Sequence, residues 1–160
     1  MRLREPPLRI SEFLSSEAIV ADLAARTKPE VLLELSHTFQ RAHPHLSSER
    51  LLETLREREK LGSTGIGEGV AIPHGKLAGM GQLTAVFGVS RAGVDFEAID
   101  GKPTFLFFAL VAPENSAGVH LKALARISRL FKTARFRAAI LEARTPAELH
   151  ALILQEDARA

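Results

Sequence analysis

The sequence contains no cysteine, tryptophan or tyrosine, and each absence removes a class of chemistry or partner. Without cysteine there can be no disulfide, no thiolate metal site and no cysteine nucleophile. Without tryptophan and tyrosine, any surface that stacks nucleic-acid bases would depend on phenylalanine alone. The charge points the same way, because 21 lysines and arginines are interspersed with 19 aspartates and glutamates and form no basic stripe. We therefore expect no nucleic-acid partner.

Long apolar runs are also missing. The longest, FLFFALVA at residues 105–112, has the length of a strand and falls well short of the roughly 18 apolar residues of a membrane span. The opening MRLREPPLRI lacks the apolar core of a signal peptide. These features predict a cytoplasmic protein without membrane insertion. The length predicts a single domain over residues 1–160, in which residues 1–16 form an N-terminal arm that packs on the body.

Helical patterns open and close the chain. Thr27 and Glu30 have the spacing of a capping box, and Ser47 is placed to cap a second helix. The charged run RLLETLREREK, residues 50–60, reads as a solvated helix face with interspersed opposite charges. Further helices are expected at residues 116–131, at 135–143 and from 145 onward.

Strand patterns occupy the middle of the chain. Residues 83–90 and the apolar run at 104–112 are typical of strands, and the second is apolar enough to be buried on both faces. Residues 18–23 fit either a short strand or a helical turn. Helices, then strands, then helices predict an α/β fold, specifically a three-layer α/β sandwich with a small mixed β-sheet flanked by helices.

The least ordinary segment is glycine-rich. Between residues 62 and 81 the sequence reads GSTGIGEGVAIPHGKLAGMG and holds seven of the eleven glycines, with Gly88 just beyond. Only Val70 to Pro73 has the apolar character expected of a strand there. Such a segment in a compact domain is usually functional or disordered, and the embedded apolar stretch argues against disorder.

His74 closes that apolar stretch and precedes Gly75. The glycines before it allow backbone N–H groups to approach a ligand closely and to form an anion-binding nest. A nucleophile beside such a nest suits phosphate chemistry; the alternative interpretation is that the glycines only make turns and His74 caps a strand. A nucleotide site is disfavoured, because Gly75-Lys76 is followed by Leu77 where a phosphate-binding P-loop has Ser or Thr.

The remaining candidates are weaker when they are taken one at a time. His120 lies one turn into a predicted helix, beside Leu121 and Leu124, which we expect to face the core; loops at one sheet edge can bring it to His74. Arg58 can offer phosphate a planar fork of donors, but it is also one of several surface arginines. The other four histidines are expected on the surface, and no metal site is expected because two adjacent imidazoles need further ligands; they are His37, His43, His45 and His150.

The segment REREKLGSTGIGEGVAIPHGK, residues 56–76, closely resembles the active-site segment of phosphotransferase-system enzyme IIA domains of the fructose/mannitol and nitrogen-regulatory type, above all the nitrogen-regulatory branch. The likeness continues through DGKP at 100–103, FLFFALVAPE and HLKALARISRLF. The resemblance implies that His74 is the phosphorylated residue, that His120 is its neighbour in the site and that Arg58 binds phosphate. It also suggests a phosphate-binding loop made of Gly62, Ser63, Thr64, Gly65, Gly67 and Gly75.

The resemblance further implies a function without cofactor or metal. A histidine-containing phosphocarrier protein would donate the phosphoryl group, and the phosphorylation state would regulate target proteins, which in this family include potassium-transport and sensor proteins. The lack of an attached IIB, phosphocarrier or membrane domain favours this regulatory role over a sugar-type IIA that passes phosphate to a IIB domain. A third reading is an anion-binding interaction module without catalysis. The sequence does not indicate which ring nitrogen of His74 takes the phosphoryl group.

Overall fold

The computed structural model describes residues 8–159. The first seven residues of the expected arm lie outside that range. The part that is described packs on the body through two short 3-10 turns, Ile10–Glu12 and Ser16–Ala18. Ile10 is fully buried, and its N–H donates to the Asp157 carboxylate at 2.8 Å. The described part of the arm is therefore tied to the last helical segment of the chain through Asp157.

Within the described residues the chain forms five α-helices and six strands. The helices are α1 (Lys28–Ala42), α2 (Ser48–Lys60), α3 (Ala117–Leu130), α4 (Ala134–Glu142) and α5 (Pro146–Arg159). The strands are β1 (Ile19–Val20), β2 (Gly65–Gly67), β3 (Val70–Ala71), β4 (His74–Leu77), β5 (Thr84–Val94) and β6 (Thr104–Pro113). No helix in this part of the chain is both long enough and apolar enough to cross a bilayer.

The expected helix starts are confirmed by their hydrogen bonds. The Thr27 hydroxyl accepts from the Glu30 N–H at 3.4 Å, which is the N-cap bond of a capping box, and it donates to the Glu30 carboxylate at 2.8 Å. Ser47 accepts from the N–H of Arg50 at 3.3 Å. The ambiguous stretch at 18–23 supplies the end of a 3-10 turn and then strand β1.

The six strands form one mixed sheet in the order β1-β5-β6-β3-β2, with β4 also paired to β6. Strand β6 is antiparallel to β5 and parallel to both β3 and β4. Along β6, Leu106 lies opposite Val70, and Leu110 lies opposite His74. The Pro73 carbonyl between β3 and β4 accepts from the Leu110 N–H at 2.8 Å, so the two short strands line one side of β6 in succession.

The expectation of a single strand at Val70 to Pro73 is therefore wrong. Gly65–Gly67 and His74–Leu77 are strands as well, and His74 begins a strand instead of closing one. The physical reason is the ten-residue β6, which offers hydrogen-bonding partners to the chain on both sides of the proline. A local pattern cannot reveal such a distant partner.

Two consecutive phenylalanines of β6 show that helices cover both faces of the sheet. Successive side chains of a strand point to opposite faces. On one face the Phe108 ring lies 6.0 Å from the ring of Phe131, which follows α3, and Phe131 lies 5.3 Å from Phe136 of α4. Phe107 points to the opposite face.

On that second face Phe107 packs 5.2 Å from the ring of Phe96. The Nζ atom of Lys28, at the start of α1, lies 4.9 Å above the same Phe96 ring. Helices α1 and α2 pack on each other, α1 lies against β5, and α2 lies against β4. The structure confirms the predicted α/β sandwich, with a mixed sheet flanked by helices.

Candidate functional site

The His74 ring is held in one orientation by the backbone. Its Nδ1 atom lies 2.7 Å from the carbonyl oxygen of Ile72, two residues earlier. A carbonyl only accepts, so in the neutral ring Nδ1 carries the proton and donates it. The other nitrogen, Nε2, is then unprotonated, and its lone pair accepts a hydrogen bond from Arg58 Nε at 3.3 Å. The geometry therefore presents Nε2 as the nucleophilic atom.

Arg58 reaches His74 from the last turn of α2. Its Nη1 donates to the Gly62 carbonyl at 2.8 Å, so the start of the glycine segment holds the guanidinium in place. Gly75 lets the helix lie close to β4, because a Cβ at that position would be 2.5 Å from Cγ2 of Thr54 on α2. The absence of a side chain at Gly75 thus helps to bring Arg58 within reach of the histidine.

His120 completes the cluster from α3. Its ring centroid lies 5.4 Å from that of His74, with an interplanar angle of 78°. The residue is 6% exposed, and its Nε2 is buried with no hydrogen-bond partner among the described residues. Leaving such a polar atom unpaired costs about 1–3 kcal/mol. An oxygen of a ligand bound beside His74 would supply the missing partner.

The face of α3 that turns inward differs from the expected one. The buried residues are His120, Ala123, Ile127 and Leu130, whereas Leu121 is 67% exposed. The expectation that Leu121 faces the core is wrong, and Leu124 is only partly buried. Packing against β6 sets the rotation of the helix, and it turns the histidine inward in place of the neighbouring leucine.

Both rings are neutral near pH 7. Burial lowers the pKa of His74; the hydrogen bond to the Ile72 carbonyl raises it, the Arg58 charge lowers it and Glu59 raises it. Burial, with smaller contributions from the neighbouring His74 and Lys76, lowers the pKa of His120 to about 4. The site thus combines an uncharged ring nucleophile with a neighbouring guanidinium, which suits attack on an anionic group.

The buried neutral His120 predicts a loss of stability in acid. In the unfolded chain its pKa is about 6.5, so the unfolded state binds more protons between pH 6.5 and 4, and stability falls as the pH drops through that window. We expect His120 to remove about 2–3 kcal/mol of unfolding free energy between pH 7.5 and pH 4.5. Urea denaturation of the wild type and His120→Asn at both pH values measures this difference.

The exposed His37 supplies the control. His37→Asn should lose as much stability in acid as the wild type, whereas His120→Asn should lose less by the stated amount. Equal losses in all three proteins would show that His120 is not held neutral.

In the structure three N–H groups at the start of the glycine segment have partners inside the protein. Gly62 N–H donates to the Glu59 carbonyl at 3.1 Å, Thr64 N–H to the Glu59 carboxylate at 2.9 Å, and Gly65 N–H to the Ser63 hydroxyl at 3.0 Å. Gly67 lies at the turn between β2 and β3, where its φ of 91° favours glycine. A direct contact of this loop with phosphate stays a prediction. The contact that the structure shows between the loop and the cluster is the hydrogen bond from Arg58 Nη1 to the Gly62 carbonyl.

Glu59 was not expected to be buried. The charged run at residues 50–60 predicted a solvated helix face, and for this glutamate that prediction is wrong, since Glu59 is 8% exposed. Its carboxylate lies 2.8 Å from the Lys28 ammonium. The signal was available, because Leu51, Leu55 and Glu59 are spaced four apart and share the buried stripe of α2.

The other histidines lie outside this cluster. His43 and His45 pack edge to face with ring centroids 6.2 Å apart, and His150 Nε2 lies 3.0 Å from the Leu14 carbonyl. His37 is exposed on α1. Over residues 8–159 no three histidine, cysteine or acidic side chains are grouped as metal ligands would be.

Comparison with solved structures identifies the class to which this sandwich belongs. The structure matches the crystal structure of nitrogen regulatory protein IIA-Ntr from Neisseria meningitidis with a TM-score of 0.84 and 39% identity, over 90% of this chain and 98% of that chain. The IIA mannitol structure from Escherichia coli shares the fold with a TM-score of 0.73 at 20% identity, over 87% of this chain and 97% of that chain. The fold is that of enzyme IIA domains.

The sequence comparisons name the family. The family model described as phosphoenolpyruvate-dependent sugar phosphotransferase system, EIIA 2, matches residues 12–156. The chain belongs to this family, as its resemblance to enzyme IIA domains predicted.

Among the curated relatives, a nitrogen regulatory protein from Bradyrhizobium diazoefficiens is 43% identical over 77% of this chain and 80% of its own length. Another from Pseudomonas aeruginosa is 33% identical over 92% of this chain and 96% of its own length. The fructose-specific EIIABC component of Bacillus subtilis is 35% identical over 94% of this chain, which spans only 24% of that longer protein.

Proposed function

We propose that this protein carries a phosphoryl group on Nε2 of His74, accepted from the phosphohistidine of a histidine-containing phosphocarrier protein. One observation carries the proposal: the Ile72 carbonyl binds Nδ1–H at 2.7 Å and leaves the Nε2 lone pair beside Arg58. Membership of the EIIA 2 family supports it, since that family is named for a phosphotransferase system.

The transfer needs no cofactor, because the phosphoryl group arrives already bonded to nitrogen. The Nε2 lone pair of His74 attacks phosphorus and forms a new N–P bond, while the N–P bond of the donor breaks and its electron pair stays on the donor ring. Nδ1–H of His74 keeps its proton and its hydrogen bond to Ile72 throughout. Positioning and charge stabilisation dominate the rate of such a reaction.

Two side chains stabilise the transferred group. Arg58 releases Nε2 as phosphorus arrives and turns its free donors to the phosphoryl oxygens, while the Gly62 carbonyl keeps hold of Nη1. His120 donates from its buried Nε2, the atom that has no partner among the described residues. In this proposal the loop of Gly62, Ser63, Thr64, Gly65 and Gly67, with Gly75 beyond it, completes the phosphate-binding set.

The role we propose is regulatory. The relatives in Bradyrhizobium diazoefficiens and Pseudomonas aeruginosa are named nitrogen regulatory proteins, and the chain covers most of each. Phosphorylation adds close to two negative charges at a site that now holds neutral rings and one guanidinium. A target protein that contacts this surface would therefore distinguish the two states. Potassium-transport and sensor proteins are the proposed target class, and the cytoplasm is the proposed location.

Phosphate uptake tests the proposal. The purified chain is incubated with phosphoenolpyruvate and the general phosphotransferase proteins, and the products are analysed by intact mass and by peptide mapping. We expect one acid-labile phosphoryl group per chain, on the peptide that contains His74, with nuclear magnetic resonance placing it on Nε2. Uptake on Nδ1, on another histidine, or no uptake by folded protein would contradict the proposal.

A sugar-type role is the second candidate, supported by the 35% identity to the fructose-specific EIIABC component. Adding an isolated fructose-type IIB domain to the phosphorylated chain discriminates between the two roles. Rapid transfer to IIB favours the sugar role, and retention of phosphate favours the regulatory role. A pure anion-binding module would take up no phosphate at all in either experiment.

A further inference from the structure

Behind His74 a chain of hydrogen bonds leads away from the site to a buried ion pair. The Ile72 carbonyl that orients the His74 ring belongs to a residue whose own N–H donates to the Thr64 carbonyl at 3.0 Å. Thr64 is in turn held through its N–H and its hydroxyl, both of which donate to the same carboxylate oxygen of Glu59. The second carboxylate oxygen of Glu59 pairs with Lys28 at 2.8 Å.

We infer that Glu59 is a positioning residue for the phosphoryl acceptor: it fixes Thr64, which fixes Ile72, which fixes the orientation and tautomer of His74. The effect of Glu59 on phosphoryl transfer rests on the proposed function. Its effect on the orientation and tautomer of His74 is independent of that function. Thr64 donates two hydrogen bonds to one Glu59 oxygen, and each of the other links is a single hydrogen bond. All three residues are shielded from solvent, since Glu59, Thr64 and Ile72 are 8%, 4% and 4% exposed.

Burial makes this arrangement stiff. A carboxylate buried away from water needs an opposite charge and hydrogen-bond donors. Here Lys28 supplies the charge and Thr64 supplies the donors. Lys28 is itself confined between the carboxylate and the Phe96 ring. The Ser63 hydroxyl donates to the Phe96 carbonyl at 2.9 Å, so the loop on the other side of Thr64 is anchored to the same region.

The consequence for the site is a choice between two forms of the ring. Without a firmly placed Ile72 carbonyl, neutral His74 would divide its proton between Nδ1 and Nε2, and only the form with the proton on Nδ1 has a nucleophilic Nε2. Small displacements of a reacting atom cost up to about 100-fold in rate. Glu59 therefore influences the reaction from a position where it touches neither phosphate nor His74.

The test compares Glu59→Ala with Glu59→Gln. The alanine variant removes the acceptor for Thr64. The glutamine variant keeps an amide oxygen for Thr64, while it loses the charge and puts an NH2 donor in place of the oxygen that pairs with Lys28. In Glu59→Ala we expect ring-nitrogen chemical shifts of His74 to show mixed tautomers, the Ile72 amide to exchange with solvent about 10-fold faster or more, and phosphoryl uptake to slow about 10-fold to 100-fold. In Glu59→Gln the tautomer should persist, with uptake within about threefold of wild type.

Asp157 provides the matched control, because it is an equally buried carboxylate, 2% exposed and paired with Arg126, that is tied to Ile10 instead of to the site. Asp157→Asn should lower stability without changing the His74 tautomer or the uptake rate. If Glu59→Ala does not fold, Thr64→Val, which removes only the hydroxyl link, should shift tautomer and exchange in the same direction by a smaller amount.

An unchanged His74 tautomer and an unchanged Ile72 exchange rate in folded Glu59→Ala, or in Thr64→Val where the alanine variant does not fold, would overturn the inference. The ring and exchange measurements use unphosphorylated protein, so they separate the two proposals. If wild type takes up no phosphate while Glu59→Ala still loosens the ring, the proposed function fails and the positioning network stands. If uptake occurs while Glu59→Ala leaves the ring unchanged, the reverse holds.

Discussion

His74→Ala should abolish phosphoryl uptake, reducing the rate by at least about 1,000-fold to the background of the assay. The residue supplies the atom that forms the new bond to phosphorus, so no neighbour can compensate. His120 is unsuited to replace it, because the residue is only 6% exposed in the first turn of α3. The measurement is the transfer of labelled phosphate from phosphoenolpyruvate through the donor proteins.

The fold should survive this change. His74 is half-buried at the start of β4, and alanine loses one hydrogen bond to the Ile72 carbonyl, worth about 1 kcal/mol. His37→Ala, on the exposed face of α1, is the matched control and should keep the full rate. Uptake that persists in folded His74→Ala would mean that a different histidine is the acceptor, and the proposed function would need a new site.

Arg58→Ala is expected to slow uptake about 100-fold to 1,000-fold, the effect of removing a donor that stabilises charge developing in the transition state. The guanidinium lies 3.3 Å from Nε2 of His74, and its other end is fixed on Gly62, so its donors are in place before the phosphoryl group arrives. Arg58→Lys keeps the charge without the planar fork and should recover only part of the rate. Stopped-flow or quench measurements with excess donor give these rates directly.

Arg58→Ala should also change the titration of the site. The Arg58 charge lowers the pKa of His74, so its removal raises that pKa, and the variant should lose uptake at a higher pH than wild type as the solution is acidified. Arg56→Ala is the control, since Arg56 lies exposed on the same helix two residues earlier. Equal rates for Arg58→Ala and Arg56→Ala would reduce Arg58 to one surface arginine among several, the alternative reading that the sequence itself allowed.

Much of the helical architecture was predictable because its signals are local. Thr27 and Glu30 lie within four residues of each other, and the Thr27 hydroxyl accepts from the Glu30 N–H as that spacing predicts. The apolar run at residues 104–112 predicted a buried central strand from its composition alone, and it forms β6. The family followed from one segment, residues 56–76, and the family model confirmed it.

The three side chains of the candidate cluster could be named from the sequence, but their arrangement could not. His74, His120 and Arg58 were each proposed, and the structure places them together, whereas the phosphate-binding role of the glycine loop remains a prediction. Glu59 escaped notice because a glutamate in a charged run resembles a solvated residue until a partner buries it. That partner, Lys28, lies 31 positions earlier in the chain, at the start of α1.

By itself, the sequence determined where helices start, which strand is buried and which family the chain joins, because propensity, capping and motif depend on neighbours in the chain. Tertiary structure alone decided that β6 pairs with both β3 and β4, that α3 turns His120 inward and that the Ile72 carbonyl selects the free nitrogen of His74. These outcomes depend on hydrogen bonds and packing between segments far apart in the chain, and such contacts exist only in the folded protein.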